Sequence, residues 1–241
     1  MAIFNMLILR SFIRRVMRLH VVLIIAWLAF LLVPVTMIAG HSGSHGLSWT
    51  RDYISTYAAH ALHANWITAS MLLCALVLVC IGVSIAGHHE LGRYHLGQVI
   101  SMIIGAAVSG LLLLVSFKET APSGTVLQNL DFDAIRQQTF HEAGFLLFFY
   151  SSITGVLTVG IAVMLTGTNQ VRRAIGGVIA TTGLAAMAAT SYSWPRYFGI
   201  IGESGGIRQR AAFLCLWIGL LLLLALITKG SEKEEGGNKQ Y

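Results

Sequence analysis

Most of the acidic side chains of this 241-residue chain, and five of its nine histidines, fall in three polar stretches between apolar runs. The first, from Gly40 to Asn65, holds His41, His45, Arg51, Asp52, Ser55, Tyr57, His60 and His63. The second, from Lys118 to Glu142, adds Glu119, Asp131, Asp133, Arg136, His141 and Glu142, and the third brings Arg196, Glu203, Arg208 and Arg210. Three of the ten carboxylates sit in the C-terminal tail, and six of the other seven lie in these stretches, with only Glu90 elsewhere. Ionisable groups at the mouths of apolar runs are costly unless paired or hydrated, so pairing among Asp52, Arg136, His141, Glu142 and Arg210 is expected. Two readings follow. One is an ion-paired cap that closes a helical bundle. The other is a polar pocket of Asp52, Ser55, Arg136, His141, Glu142 and Arg210 that receives a lipid headgroup or small ligand. In the pocket, His141 would be the general base, Asp52 or Glu142 would orient it, and Arg210 would hold an anionic headgroup.

Metal and haem chemistry have thinner support. His60 and His63 are three apart and His41 and His45 four apart, spacings that on a helix put both imidazoles on one face and could ligate zinc or copper beside a carboxylate. No HExxH or CxxC accompanies them, and Ser42, Gly43, Ser44 and Gly46 disfavour a helix through the first pair. A solvated interfacial loop accounts for these four histidines better, and no metal site is assigned. Haem needs two imidazoles at matching depth on facing helices; His20 and His95 could meet at one edge, but no histidine sits mid-run. No GxSxG elbow is present. Cys74, Cys80 and Cys215 lie inside apolar runs without metal or disulfide spacing and read as small hydrophobes. No cofactor is expected.

The elements that must position these residues are membrane helices. Hydrophobic residues make up 56% of the chain and charged residues 11%, against roughly 25% charged in a soluble domain. Apolar runs near 21–39, 66–87, 97–117, 143–166, 174–193 and 211–228 each approach the span length of about 20 residues. Backbone groups in lipid must be satisfied within each segment, so the fold is all-α, a bundle of six transmembrane helices. The fifth run is the most dilute, through Gly176, Gly177 and Gly183. The 19 apolar residues from Val21 to Ala39 exceed a signal-peptide core and should remain as the first span. The net charge of +6 is scattered between runs instead of forming a basic face, which argues for topology and against nucleic acid. Placing both termini in the cytoplasm puts ten Lys and Arg residues inside and six outside, in the sense of the positive-inside rule. The polar stretches are then on the outer side. Trp49, Trp66 and Trp194 fall near the outer boundaries as interfacial anchors.

Three regions follow. In residues 1–18, Arg10, Arg14 and Arg18 are spaced four apart among apolar residues, which suggests a surface-lying basic helix. Residues 19–230 form the transmembrane domain, and residues 231–241 a polar tail expected to be disordered. Gly105 with Ser109, Ala106 with Gly110, and the Gly155 and Gly160 region offer small residues for close helix approach.

Asp52-Tyr-Ile-Ser55 ahead of a Trp66-led second span, His141 at the entry to the fourth, and Gly206-Ile-Arg-Gln-Arg210 running into Trp217 are the segments by which the chain resembles the bacterial membrane family DUF998. The resemblance implies a six-span fold in a bacterial cytoplasmic membrane and recurrent polar positions at Asp52, Ser55, His141 and Arg210. It implies no established activity, and His41, His45 and Glu142 lie outside its pattern. The leading functional expectation is a non-catalytic integral membrane protein, an accessory subunit of a larger complex or a lipid-interacting scaffold, with membrane lipids and a membrane protein as partners. The alternative is a membrane enzyme or binding protein acting on a lipid or small amphiphile at the outer polar pocket, with a metal as a possible assistant. Mid-span ionisable residues of the kind a transport path needs are absent.

Overall fold

A computed structural model describes residues 2–43, 46–50, 52–87, 96–119, 131–191 and 205–237. Among them are seven α-helices and no strand: α1 (Ala2–His41), α2 (Ile54–His60), α3 (Ala64–Gly87), α4 (Leu96–Ser116), α5 (Phe132–Thr166), α6 (Gln170–Ser191) and α7 (Gly205–Gly237). All but α2 are long and apolar enough to cross a membrane, over 20–41, 64–85, 97–116, 132–166, 170–190 and 206–229. The chain is a multi-pass membrane protein.

The spans pack in chain order, α1 on α3, then α4, α5, α6 and α7. Where they approach closely, glycine is required. A Cβ at Gly110 of α4 would strike the Phe148 amide, and one at Gly144 of α5 would come within 2.9 Å of the Gly110 carbonyl. Gly160 and Gly176 stand in the same relation between α5 and α6, where a Cβ on either would collide with the other helix's backbone. Gly105, by contrast, has open space around it. The dilution of the fifth span thus has a physical reason, since Gly176 and Gly183 lie against α5. Large aromatics close the bundle between its first and last helices. Phe30 stacks on Trp217 with centroids 3.8 Å apart, and Trp27 Nε1 donates to Thr228 Oγ1 at 3.1 Å. Leu28, Leu31 and Val35 on α1 are exposed while Ala26, Ala29 and Val33 are buried. In water that outer stripe would be a liability, but in lipid it needs no partner.

Three boundaries differ from those read in the sequence. Residues 2–18, read in the sequence as a segment of their own, are the first part of α1, which runs on unbroken through residue 20 into the span. Forty residues rise about 60 Å, twice a hydrocarbon core of about 30 Å, so the basic half of α1 continues beyond its span. At the other end, α7 stays helical to Gly237, into the tail expected to be disordered. Helix α5 starts at Phe132, eleven residues ahead of its apolar run, because Asp131 caps it by accepting from the Ala134 amide at 2.7 Å.

Candidate functional site

All the described polar side chains from the three stretches gather at one end of the bundle, where α2 lies over the helix ends as a roof. Ile54, Tyr57, Ala58 and Ala61 recur at one-turn spacing and are all buried, which is why so short a segment holds a helix here. Three ties fix the roof. The Ile54 amide donates to Gln209 Oε1 of α7 at 2.6 Å. Ser55 Oγ and Thr56 Oγ1 donate to Glu119 Oε2, just past α4, at 3.2 and 2.7 Å. The Ile207 amide donates to Thr50 O at 3.1 Å.

Arg210 makes the densest contact. Its Nη1 donates to the carbonyls of Trp49 and Asp52, each at 2.8 Å, and its Nη2 donates to His41 Nε2 at 2.9 Å. His41 Nδ1, 2.7 Å from Met37 O, must carry the ring proton to donate there, which leaves Nε2 as the acceptor that Arg210 requires. The guanidinium also lies 4.8 Å from the Trp49 ring and 5.3 Å from the Tyr57 ring. Burial pushes the Tyr57 phenol above its ordinary range, so the ring beside the cation stays neutral.

The expected pairs are therefore rearranged. It is the Asp52 main-chain carbonyl, not its carboxylate, that meets Arg210; the carboxylate accepts from the Ser48 amide at 2.5 Å and closes its own turn. His141, 5% exposed, gives Nδ1–H to Phe117 O at 2.7 Å, satisfying a carbonyl that the end of α4 leaves open. Glu142 does not orient His141 but accepts from Gln138 Nε2, one turn back, at 3.1 Å. Arg136 stands apart, 61% exposed, paired with Asp133 at 3.2 Å. The helical spacing proposed for His60 and His63 fails, because α2 ends at His60 and α3 begins at Ala64, and both side chains are exposed. His41 is the last residue of α1, and His45, Arg51, Arg196 and Glu203 lie outside the described residues. Among the described residues no three of His, Cys, Asp and Glu converge as a metal site would need. Trp49 is a contact of Arg210 as well as an exposed ring, and Trp66 is half exposed at the start of α3.

Gln209 and Thr56 are central here and were not singled out in the sequence, and Glu119, named there among the carboxylates of the second stretch, was not placed in the pocket. Glu119 follows Lys118 at the end of an apolar run and resembles any loop carboxylate. Only the stripe of Ile54, Tyr57, Ala58 and Ala61 signals a buried helix that could bring hydroxyls to it.

Directly beneath the roof lies a small apolar cavity, walled by Phe145, Phe148, Phe149 and Phe213 and topped by Ser55 and Gln209. With this geometry in place, the comparisons decide the family. A family model described as Protein of unknown function (DUF998) matches residues 24–226. The chain belongs to the DUF998 family. No curated protein and no solved structure matches it. Every residue named in the roof of this DUF998 chain, from His41 to Arg210, falls inside the matched segment. In that roof Arg210, His41, Glu119 and His141 each have a partner on another segment, while the Asp52 carboxylate closes its own turn.

Proposed function

We propose that this DUF998 protein is a non-catalytic integral membrane protein, a lipid-interacting scaffold or accessory subunit, with its α2 roof on the side away from the cytoplasm. The observation that carries the reading is the use to which the candidate catalytic groups are put. A general base needs a free nitrogen facing a reactant and an orienting partner behind it. His141 is 5% exposed, so the Nε2 that its Nδ1–H bond to Phe117 O leaves free has little access to a reactant, and the neighbouring Glu142 bonds to Gln138. Arg210, the candidate anion holder, serves two carbonyls and an imidazole. The lipid-interacting form is favoured by the exposed apolar side chains along the spans, such as Leu28, Leu31 and Val35. The orientation is supported by the excess of Lys and Arg at the opposite end.

The test is gentle detergent extraction followed by mass spectrometry of proteins and lipids together. A stoichiometric membrane protein or retained lipid is expected, and His141→Ala should leave that assembly intact. Recovery as a bare monomer, or a turnover abolished by His141→Ala in a folded protein, would overturn the reading.

A further inference from the structure

His41 is held at both ring nitrogens, and the two bonds together fix its charge. Met37 O can only accept, so Nδ1, 2.7 Å away, carries a hydrogen. Arg210 Nη2 can only donate, so Nε2, 2.9 Å away, presents a lone pair. The closed roof therefore admits His41 only as the neutral imidazole. A second proton would go to Nε2, where it would face the guanidinium N–H and bring two cations into contact. The groups around the ring give that charge little relief. Residues 46–53 bring the Trp49 ring to 5.8 Å and α2 brings the Tyr57 ring to 4.3 Å. The Asp52 carboxylate is close enough to act on Arg210 and Tyr57, but it is bonded to the Ser48 amide of its own turn. The turn into α3 brings His63 near Gly43, two residues beyond His41, and the first turns of α3 carry no ionisable residue. On α7, Arg208 is two residues from Arg210 and so falls on the other side of the helix.

We infer that the contact between His41 and Arg210 is an acid-sensitive latch, and that a proton on His41 releases residues 46–53 from α7. The same guanidinium holds the carbonyls of Trp49 and Asp52, so a shift away from the imidazolium loosens both ends of that turn. His41 is half-buried, and Ser42 and Gly43 beside it are exposed, which gives the ring access to water at the rim. The closed roof keeps one ring proton on His41, whereas the released ring can hold two. Release thus takes up a proton: closure is fully favoured above the ordinary imidazole range, near 6.5, and loses ground as pH falls through it.

The test is hydrogen–deuterium exchange of the purified full chain in detergent, with wild type and His41→Gln compared at each pH from 7.5 to 5.0. Glutamine can donate to Met37 O and accept from Arg210 but does not titrate, and at equal pH the intrinsic exchange rate cancels between the two proteins. Peptides covering 46–53 report on the Asp52 amide, bonded to Ser48 O at 2.8 Å in the closed roof. Their exchange in wild type relative to the variant should rise about tenfold between pH 7.5 and 5.0. Peptides covering 166–173, at the opposite end of the bundle, should keep a constant ratio. A flat ratio over 46–53, or an equal rise at both ends, would overturn the latch. If elution volume or unfolding temperature shows that His41→Gln misfolds, the wild-type chain decides alone. Exchange over 46–53 must then gain about tenfold on that over 166–173 across the same range, and parallel profiles would refute the inference.

Discussion

Replacing Arg210 with Met keeps the length of the side chain and removes its charge and donors. Three hydrogen bonds disappear, to Trp49 O, Asp52 O and His41 Nε2, together with two ring contacts. Hydrogen bonds to a charged group contribute roughly 1.5 to 3 kcal/mol each, so three set a ceiling of roughly 5 to 9 kcal/mol. Two effects lower it. Carbonyls at the rim of the roof can be rehydrated, and the variant regains the cost of partly burying a guanidinium, which leaves a net loss of about 2 to 4 kcal/mol. Arg210→Lys retains the charge as a point donor that cannot fork to three acceptors, and should fall between the two. His41→Ala deletes only one of the bonds and should cost about 1 kcal/mol. Thermal unfolding in a single detergent, followed by tryptophan fluorescence, reads these differences; for a chain of this size the Arg210→Met shift should be on the order of 10 °C. Limited proteolysis should show residues 46–53 cut faster in the same order. If Arg210→Met unfolds within 1 °C of the parent (roughly the noise of such shifts), or His41→Ala is the more damaging variant, Arg210 does not latch the roof.

Other substitutions test separate parts of the account. Glu119→Ala removes the carboxylate that accepts from the Ser55 and Thr56 hydroxyls in a buried site and should cost about 2 kcal/mol in the same assay. Arg136→Ala, on an exposed pair, should change stability by less than about 0.5 kcal/mol. Gly160→Val would drive a side chain into the α6 backbone at Ala180 and should destabilise by at least about 1 to 3 kcal/mol, whereas Gly105→Ala, with open space around it, should be neutral when both are measured side by side. Phe30→Ala removes the stack on Trp217 that joins α1 to α7; a loss of about 3 kcal/mol is expected, and a cysteine pair across that seam should cross-link more slowly in the variant.

The spans were legible because hydrocarbon enforces a length and a composition that survive in a single sequence. Even the dilute fifth run could be found, although its glycines read as a weakness until Gly176 met Gly160. Boundaries were less legible wherever a helix leaves the bilayer. Hydropathy falls at Phe132–Glu142, yet the cap at Asp131 and the burial of Gln138 and His141 keep the backbone helical there. Likewise nothing in the composition stops α1 between residues 18 and 21, so the basic segment joins it. The site was legible as a location and not as a set of pairs. Asp52, Ser55, His141 and Arg210 do reach one end of the bundle, but their partners are main-chain carbonyls and a carboxylate from another stretch. Hydrogen bonds to backbone depend on where a chain turns, and no spacing rule records that. Of the small residues, Gly110 and Gly160 serve at helix crossings and Gly105 does not, a difference in which face meets a neighbour.

The most direct measurement is thiol labelling from one side of the membrane. In a background with Cys74, Cys80 and Cys215 replaced by alanine, single cysteines at Ser42, Leu62, Phe132 and Asn169 would be exposed to a membrane-impermeant reagent in sealed vesicles of known sidedness. The roof predicts that Ser42, Leu62 and Phe132 label together from the non-cytoplasmic side and Asn169 only from the other. Labelling of Ser42 and Phe132 from opposite sides would contradict it.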